Sequence, residues 1–419
     1  MTAWQFTLIF LAALTLTTVA RLWLARRHLA HIAAHRGSVP DEFREQIPLA
    51  DHQRAADYTS AKTRFTMLSV LFDAAVLLAF TLGGGIQFVA DLCVNQFAST
   101  LTQGVATIVA VLLISSLLEI PFELYRTFRI EARFGFNNMT IKTYLIDMLK
   151  NLLIGTVLGL PLLFGVLWLM ARMGEYWWLY VWGAWVFFNL LILFIYPTFI
   201  APLFNKFSPL QNDAMRLRVE ALLKKCGFTA SGLFVMDGSR RSSHGNAYFT
   251  GFGKTKRIVF FDTLLERLNV DEVEAVLAHE LGHFKHRHVM KRIAATFALS
   301  LVFLWALGML MQTTWFYLGL GVDPATSSGH PTALALLLFF MVMPIFGFLF
   351  SPVMSAYSRK HEFEADAYAA RQTRASELVN ALVKLYQDNA ATLTPDPLYS
   401  KFYDSHPPAA IRIANLKTL

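Results

Sequence analysis

Seven apolar stretches of about twenty residues each constrain this chain more than any other feature. They lie near 4–24, 66–90, 104–124, 151–171, 176–203, 293–312 and 332–355. A helix of twenty residues rises about 30 Å, the thickness of a bilayer's hydrocarbon core. A backbone immersed in lipid must also satisfy its own hydrogen bonds, which a helix does. The expected fold is therefore mainly α, a polytopic membrane protein with seven transmembrane helices. The first run, Trp4 to Trp23, follows no basic segment and exceeds a signal-peptide core, so it reads as a permanent span. Charged residues make up 16% of the chain and hydrophobic ones 55%, whereas a soluble domain carries about a quarter charged.

The formal net charge is +8, and its placement follows membrane topology. Arg26, Arg27, Arg36, Arg44, Arg54, Lys62 and Arg64 follow the first run; Arg126, Arg129, Arg133 and Lys142 follow the third. The connections after the second and sixth carry Asp91 and Asp323 without Lys or Arg. Basic loops stay cytoplasmic, which puts the N-terminus outside and the C-terminus inside; Arg172 beside Glu175 is a weak dissent. No basic stripe interleaves with aromatics, so nucleic acid is not an expected partner. Cys93 and Cys226 are far apart and lack a CxxC neighbour, which excludes a disulfide framework or thiolate metal site.

Two polar stretches face the cytoplasm on this topology. The expected division is 1–203 for spans one to five, 204–292 for a catalytic domain, 293–356 for spans six and seven, and 357–419 for a C-terminal catalytic segment. Within 204–292 a surface helix is expected over Arg216 to Lys225, then short strands at 233–236, 246–249 and 257–261, separated by turn residues. From Asp271 the period becomes helical, with Val273, Val276, Leu277, Leu281 and Phe284 on one face. Asp271 reads as the N-cap and Glu274 as its partner three residues on.

That helix carries His279-Glu280-Leu281-Gly282-His283. Histidines at i and i+4 project from one face a turn apart, as two ligands of a tetrahedral zinc require. Zinc lowers the pKa of a bound water toward about 7, and Glu280 beside it can take that proton and deliver it to a leaving amine. A catalytic zinc needs a third protein ligand. The extended pattern HExxHxxGxxH fails, since His286 stands where its Gly belongs and Val289 where its last His belongs. His286 and His288 read as solvated or as supporting groups. The best cluster downstream is 358–366, where Glu362 and Asp366 are spaced i and i+4. One can bind the metal while the other orients a ligating histidine. His361 and Glu364 are rivals that helical spacing alone does not remove.

The ordered set of motifs resembles the type I CAAX prenyl endopeptidases. It comprises Glu119-Ile120-Pro121-Phe122, Phe134-Gly135-Phe136-Asn137, Pro197 to Phe204, Asn246-Ala247-Tyr248-Phe249 and HELGH at 279–283. Glu362 with Ala365-Asp366, Ser405-His406-Pro407-Pro408 and Arg412 complete it. The resemblance implies that Glu362 is the third ligand of one Zn2+ per chain and that Asp366 stands behind the ligands. It implies a seven-helix barrel around a water-filled chamber, capped on the cytoplasmic side by a gluzincin-like α+β catalytic domain. Asn246 and His406 would contact substrate or the tetrahedral oxyanion, and Arg412 would contact substrate or pair with an acidic neighbour. Residues 246–251 could serve as the edge strand that holds an extended peptide. Glu119 and Glu123, at the end of the third span, read as structural or chamber-lining.

The implied partners are a peptide or lipidated peptide and the membrane lipid. Ala-rich composition and short loops look bacterial, favouring a bacterial plasma membrane; a eukaryotic member would occupy the endoplasmic reticulum. Bacteria generally lack prenylated CAAX proteins, so a quality-control protease without a prenyl requirement is the rival reading. A seven-span transporter or receptor is the remaining one, and it predicts no assembled metal site.

Overall fold

A computed structural model describes residues 1–230, 232–250, 257–325 and 331–419. Seven helical stretches are long and apolar enough to span a bilayer: Ala3–His35, Leu49–Phe80, Thr100–Glu131, Ile141–Arg172, Gly174–Phe204, His288–Leu310 and Pro331–Gln372. They match the seven apolar runs in order. The second differs most from expectation, beginning seventeen residues before the run at 66 and ending ten residues short of 90. Hydropathy missed its polar first half, where buried His52, Ala55, Ala56 and Tyr58 pack inward. Its end is set by the glycines: Gly84 has φ 77°, and a Cβ on Gly83 would lie 2.7 Å from the Ala79 carbonyl oxygen. The chain therefore turns sharply and starts a separate helix, Gly85–Gln96. The third span ends in a π turn, Arg126–Glu131, and the fifth passes through one, Tyr196–Ile200, which contains Pro197 and precedes its last turn, Ala201–Phe204.

One continuous hydrophobic core gathers the same end of every span. It takes Phe6, Phe10 and Leu14 from the first, Phe80 from the second and Val105, Ile108 and Val111 from the third. Leu167 and Met170, Trp177 and Val181, and Leu304 and Leu307 follow from the next three, around Ala333 to Ile345 of the seventh. Beyond that end four of the spans lose their packing, while the first, second and seventh keep buried residues. No residue is buried from Leu112 to Tyr125, from Ile141 to Val166, from Trp182 to Ile195 or from Val289 to Phe303. A solid bundle would bury one stripe of each helix; these four spans bury none there, which leaves the bundle open beyond its packed end. Glu119 faces a cavity of about 460 Å³ with Arg21 and Asp73, whereas Glu123 accepts a hydrogen bond of 3.0 Å from the Tyr144 hydroxyl.

The polar domain sits at the open end. A four-stranded sheet has the order β1-β2-β4-β3, with β1 at Phe207–Pro209, β2 at Gly232–Met236, β3 at Ala247–Thr250 and β4 at Arg257–Phe261. β2 and β4 are parallel and the outer pairs antiparallel. β1 is too short to have shown in the sequence pattern. β3 is an edge strand, as expected for 246–250; residue 251 lies outside the described residues. Helix Val270–Lys285 crosses behind the sheet, with Val273, Leu277, Ala278 and Leu281 sealed against Val219, Leu222, Ile258, Phe260, Leu378 and Leu382. Its capping box is Asn269 with Glu272, two residues before the expected Asp271 and Glu274. Asp271 and Glu274 instead pair with Arg218 of the helix Asp213–Cys226. Both cysteines are free.

Candidate metal centre

Two helices build the site, and each runs into a span at the open end. Val270–Lys285 carries His279 and His283, then breaks at Arg287, whose left-handed backbone (φ 55°) starts span six at His288. Span seven continues through a 3₁₀ turn, Phe348–Phe350, into helix Ser351–Gln372, which carries Glu362. The helices cross in close contact at Gly282, where an added Cβ would stand 2.8 Å from Ala365 Cα. This glycine lets Glu362 reach the two histidines.

The three donors converge. His279 Nε2 and His283 Nε2 are 3.2 Å apart, and the Glu362 carboxylate lies 3.5 Å from the first and 3.4 Å from the second. A tetrahedral cation with bonds of about 2.1 Å spaces its donors by about 3.4 Å, so the residues fit one divalent metal. Chemistry agrees with distance. Glu362 Oε2 is buried without a hydrogen-bond donor of its own. Facing lone pairs in such a place need a positive charge. Burial pulls the His279 pKa down, but the hydrogen bond to Asp366 and the adjacent Glu362 carboxylate outweigh it and lift the value to about 9. His283 lacks such help, and burial, with the neighbouring His279, lowers it to about 3.

Behind the donors, each histidine has its outer nitrogen held. His279 Nδ1 lies 2.8 Å from Asp366, which is fully buried and receives a two-pronged bond from Arg412 at 2.9 and 2.6 Å. A carboxylate here fixes the tautomer that leaves Nε2 for metal. Arg412 is itself buried and pairs with Asp366, 3.7 Å from Glu362. Of the two roles weighed for it, the geometry displays the pairing. His283 Nδ1 meets His288 Nδ1 at 3.0 Å, and His288 Nε2 meets Glu364 at 2.8 Å. His288 is therefore no solvated residue; it is 1% exposed and stacks on His361 at 3.9 Å. His286 is exposed. Both rivals for the third ligand stand outside the three-donor group, Glu364 on His288 and His361 against its ring.

Glu280 lies between the histidines, half-buried, and burial raises its carboxyl pKa, with Glu362 adding to the effect. His406 Nε2 reaches to 3.5 Å from Glu362 while most of its ring stays exposed. Asn246 is exposed at the head of β3; its side chain accepts from the Ala247 amide at 2.8 Å, and its carbonyl accepts from Phe261 at 2.9 Å. β3 runs beside the HELGH helix, with Phe249 and Phe284 in ring contact at 5.0 Å. The segment before it is pinned to the membrane region by Phe136, Asn137 and Asn138, which bond residues 239–243. That pairing gives the FGFN motif a structural reason that the sequence did not offer.

Seven spans with a buried two-histidine, one-carboxylate centre at their open end define an integral membrane metallopeptidase. Comparison with known proteins agrees in detail. Residues 28–206 match "CAAX prenyl protease N-terminal, five membrane helices", and residues 209–419 match "Peptidase family M48". The chain belongs to peptidase family M48, as a metalloprotease of the CAAX prenyl protease type. A CAAX prenyl protease 1 homolog of Arabidopsis thaliana is 38% identical over 71% of this chain and 70% of its own length. CAAX prenyl protease 1 of Saccharomyces cerevisiae is 32% identical over 90% and 88%. The crystal structure of S. mikatae Ste24p superposes with a TM-score of 0.92 at 29% identity, covering 98% of this chain and 99% of that one.

Proposed function

We propose that this chain holds one Zn2+ on His279, His283 and Glu362 and cleaves peptide bonds near the C-terminus of prenylated CAAX-type or similar lipid-modified, membrane-associated substrates. The convergence of three donors beside Glu280, at the open end of seven apolar spans, carries this reading. A zinc held there would supply a Lewis acid and a water acidic enough to ionise near neutrality. Glu280 is placed to take a proton from the attacking water and to return it to the leaving amine; its raised pKa suits a base that must also act as acid. The His406 imidazole and Asn246 amide donate to the carbonyl oxygen as it gains charge. Edge strand β3 adds the peptide as a further strand through main-chain bonds, which tolerates varied side chains. Arg412 acts through Asp366, and a direct substrate contact is the role we do not assign it.

The catalytic region is assigned as 204–292 with 357–419, carried by the spans in 1–203 and 293–356. Basic loops support a cytoplasmic site with the N-terminus outside, in a bacterial plasma membrane or, in a eukaryote, the endoplasmic reticulum. The test is cleavage of a farnesylated CAAX peptide beside its unprenylated twin. Preference for the farnesylated peptide supports the reading. Equal cutting of both contradicts the prenyl requirement and points to membrane-protein quality control.

A further inference from the structure

Beside the first constellation lies a second. His286, His288 and Glu364 each present a ligand atom within 4.8 Å of the others. Two imidazoles and a carboxylate are again the donor set of a divalent cation. The left-handed turn at Arg287 brings this about, because it folds His288 back against the end of the preceding helix. His286 is exposed and Glu364 half-exposed, so a cation can enter from solvent, while His288 at the back is buried.

The two constellations share a chain of hydrogen bonds. If Nε2 of His283 faces the catalytic metal, its proton sits on Nδ1 and donates to His288 Nδ1, 3.0 Å away. His288 then carries its own proton on Nε2 and donates it to Glu364 at 2.8 Å. A cation bound at His288 Nε2 takes the lone pair that this tautomer lacks, so the proton must move to His288 Nδ1. There it would face the His283 N–H head-on, two donors at hydrogen-bond distance with no acceptor. His283 would have to turn away from the catalytic metal. Occupation of one site therefore opposes the geometry of the other.

We propose that His286, His288 and Glu364 form a second divalent-cation site whose occupation inhibits the protease by displacing the hydrogen bond that orients His283. This site is the weaker of the two. The Lys360 ammonium lies 3.9 Å from Glu364, one ligand is a free surface side chain, and His288 must surrender both hydrogen bonds. The catalytic site fills first and the second only in excess metal. The inhibitory effect rests on the assignment of His283 as a ligand, whereas binding of the second cation does not.

The experiment starts from full-length protein in detergent carrying one zinc per chain, titrated with zinc chloride while bound metal and peptide cleavage are followed together. Wild type is expected to take a second equivalent as activity falls by roughly tenfold. His286→Ala removes an exposed ligand and leaves the His283–His288–Glu364 chain intact. It should keep full basal activity, bind one equivalent and lose the inhibition. Glu364→Gln keeps an acceptor for His288 but removes the anionic ligand, and it too should bind only one equivalent. A single equivalent in wild type, or unchanged inhibition in His286→Ala, overturns the proposal. Absence of cleavage at one equivalent would count against the proposed function, and the second equivalent would still be decided by the metal count.

Discussion

Replacing Gly282 by alanine tests the packing that brings the ligands together. The added Cβ would stand 2.8 Å from Ala365 Cα, 3.0 Å from its carbonyl oxygen and 3.2 Å from its Cβ. Carbon atoms settle at about 3.5–4.0 Å, so the two helices must separate by roughly 0.8 Å. His279 and His283 flank Gly282 on one helix, and Glu362 lies three residues before Ala365 on the other, so the retreat opens the metal site directly. Metal–ligand distances tolerate about ±0.2 Å, several times less than this. The expected cost is about 1–3 kcal/mol of stability from overpacking and on the order of a hundredfold in turnover from misplacement near 1 Å. Zinc affinity, read by competition with a chromogenic chelator, should fall in parallel. Adding Ala365→Gly removes only the 3.2 Å contact, so rescue should be partial. Wild-type zinc affinity and turnover in Gly282→Ala would refute the claim that this contact sets the ligand geometry.

Asp366→Asn should lower metal affinity roughly 10–100-fold, because an amide cannot accept from both His279 and the Arg412 fork. It should also cost about 3 kcal/mol by leaving Arg412 buried with a weakened partner; chelator competition and thermal unfolding read the two effects. Metal affinity should depend on pH through His279, whose proton the metal displaces below about 9. His283, with a value near 3, is already neutral and adds nothing over this range. The apparent association constant should therefore rise about tenfold per pH unit from 6 to 8 and flatten above 9. A pH-independent affinity over that window would contradict the assigned proton.

The seven spans were legible because a run of twenty apolar residues has few other uses. Their limits were less so, since a helix that leaves the membrane keeps its hydrogen bonds while losing its hydropathy. The polar first half of span two and the extension of span seven through Glu362 are examples. HELGH announced two of the three converging donors by spacing alone. The third donor needed the family resemblance, because Glu362, Glu364 and His361 differ only in which way a helix faces. For His288 the sequence left a solvated and a supporting role open, since nothing in it reveals the left-handed turn at Arg287 that folds the ring back behind His283. The contact of Gly282 with Ala365 is likewise invisible in the sequence, because it joins two helices more than eighty residues apart.

The central claim is that His279, His283 and Glu362 hold the metal while Glu280 moves the proton. Metal content and peptide cleavage measured together in wild type, Glu280→Gln and Glu362→Gln test it most directly. The account predicts one zinc in wild type and Glu280→Gln, with cleavage reduced at least 10²-fold in the latter, and loss of both zinc and cleavage in Glu362→Gln. Retained cleavage in Glu280→Gln, or tightly held zinc in Glu362→Gln, would contradict it.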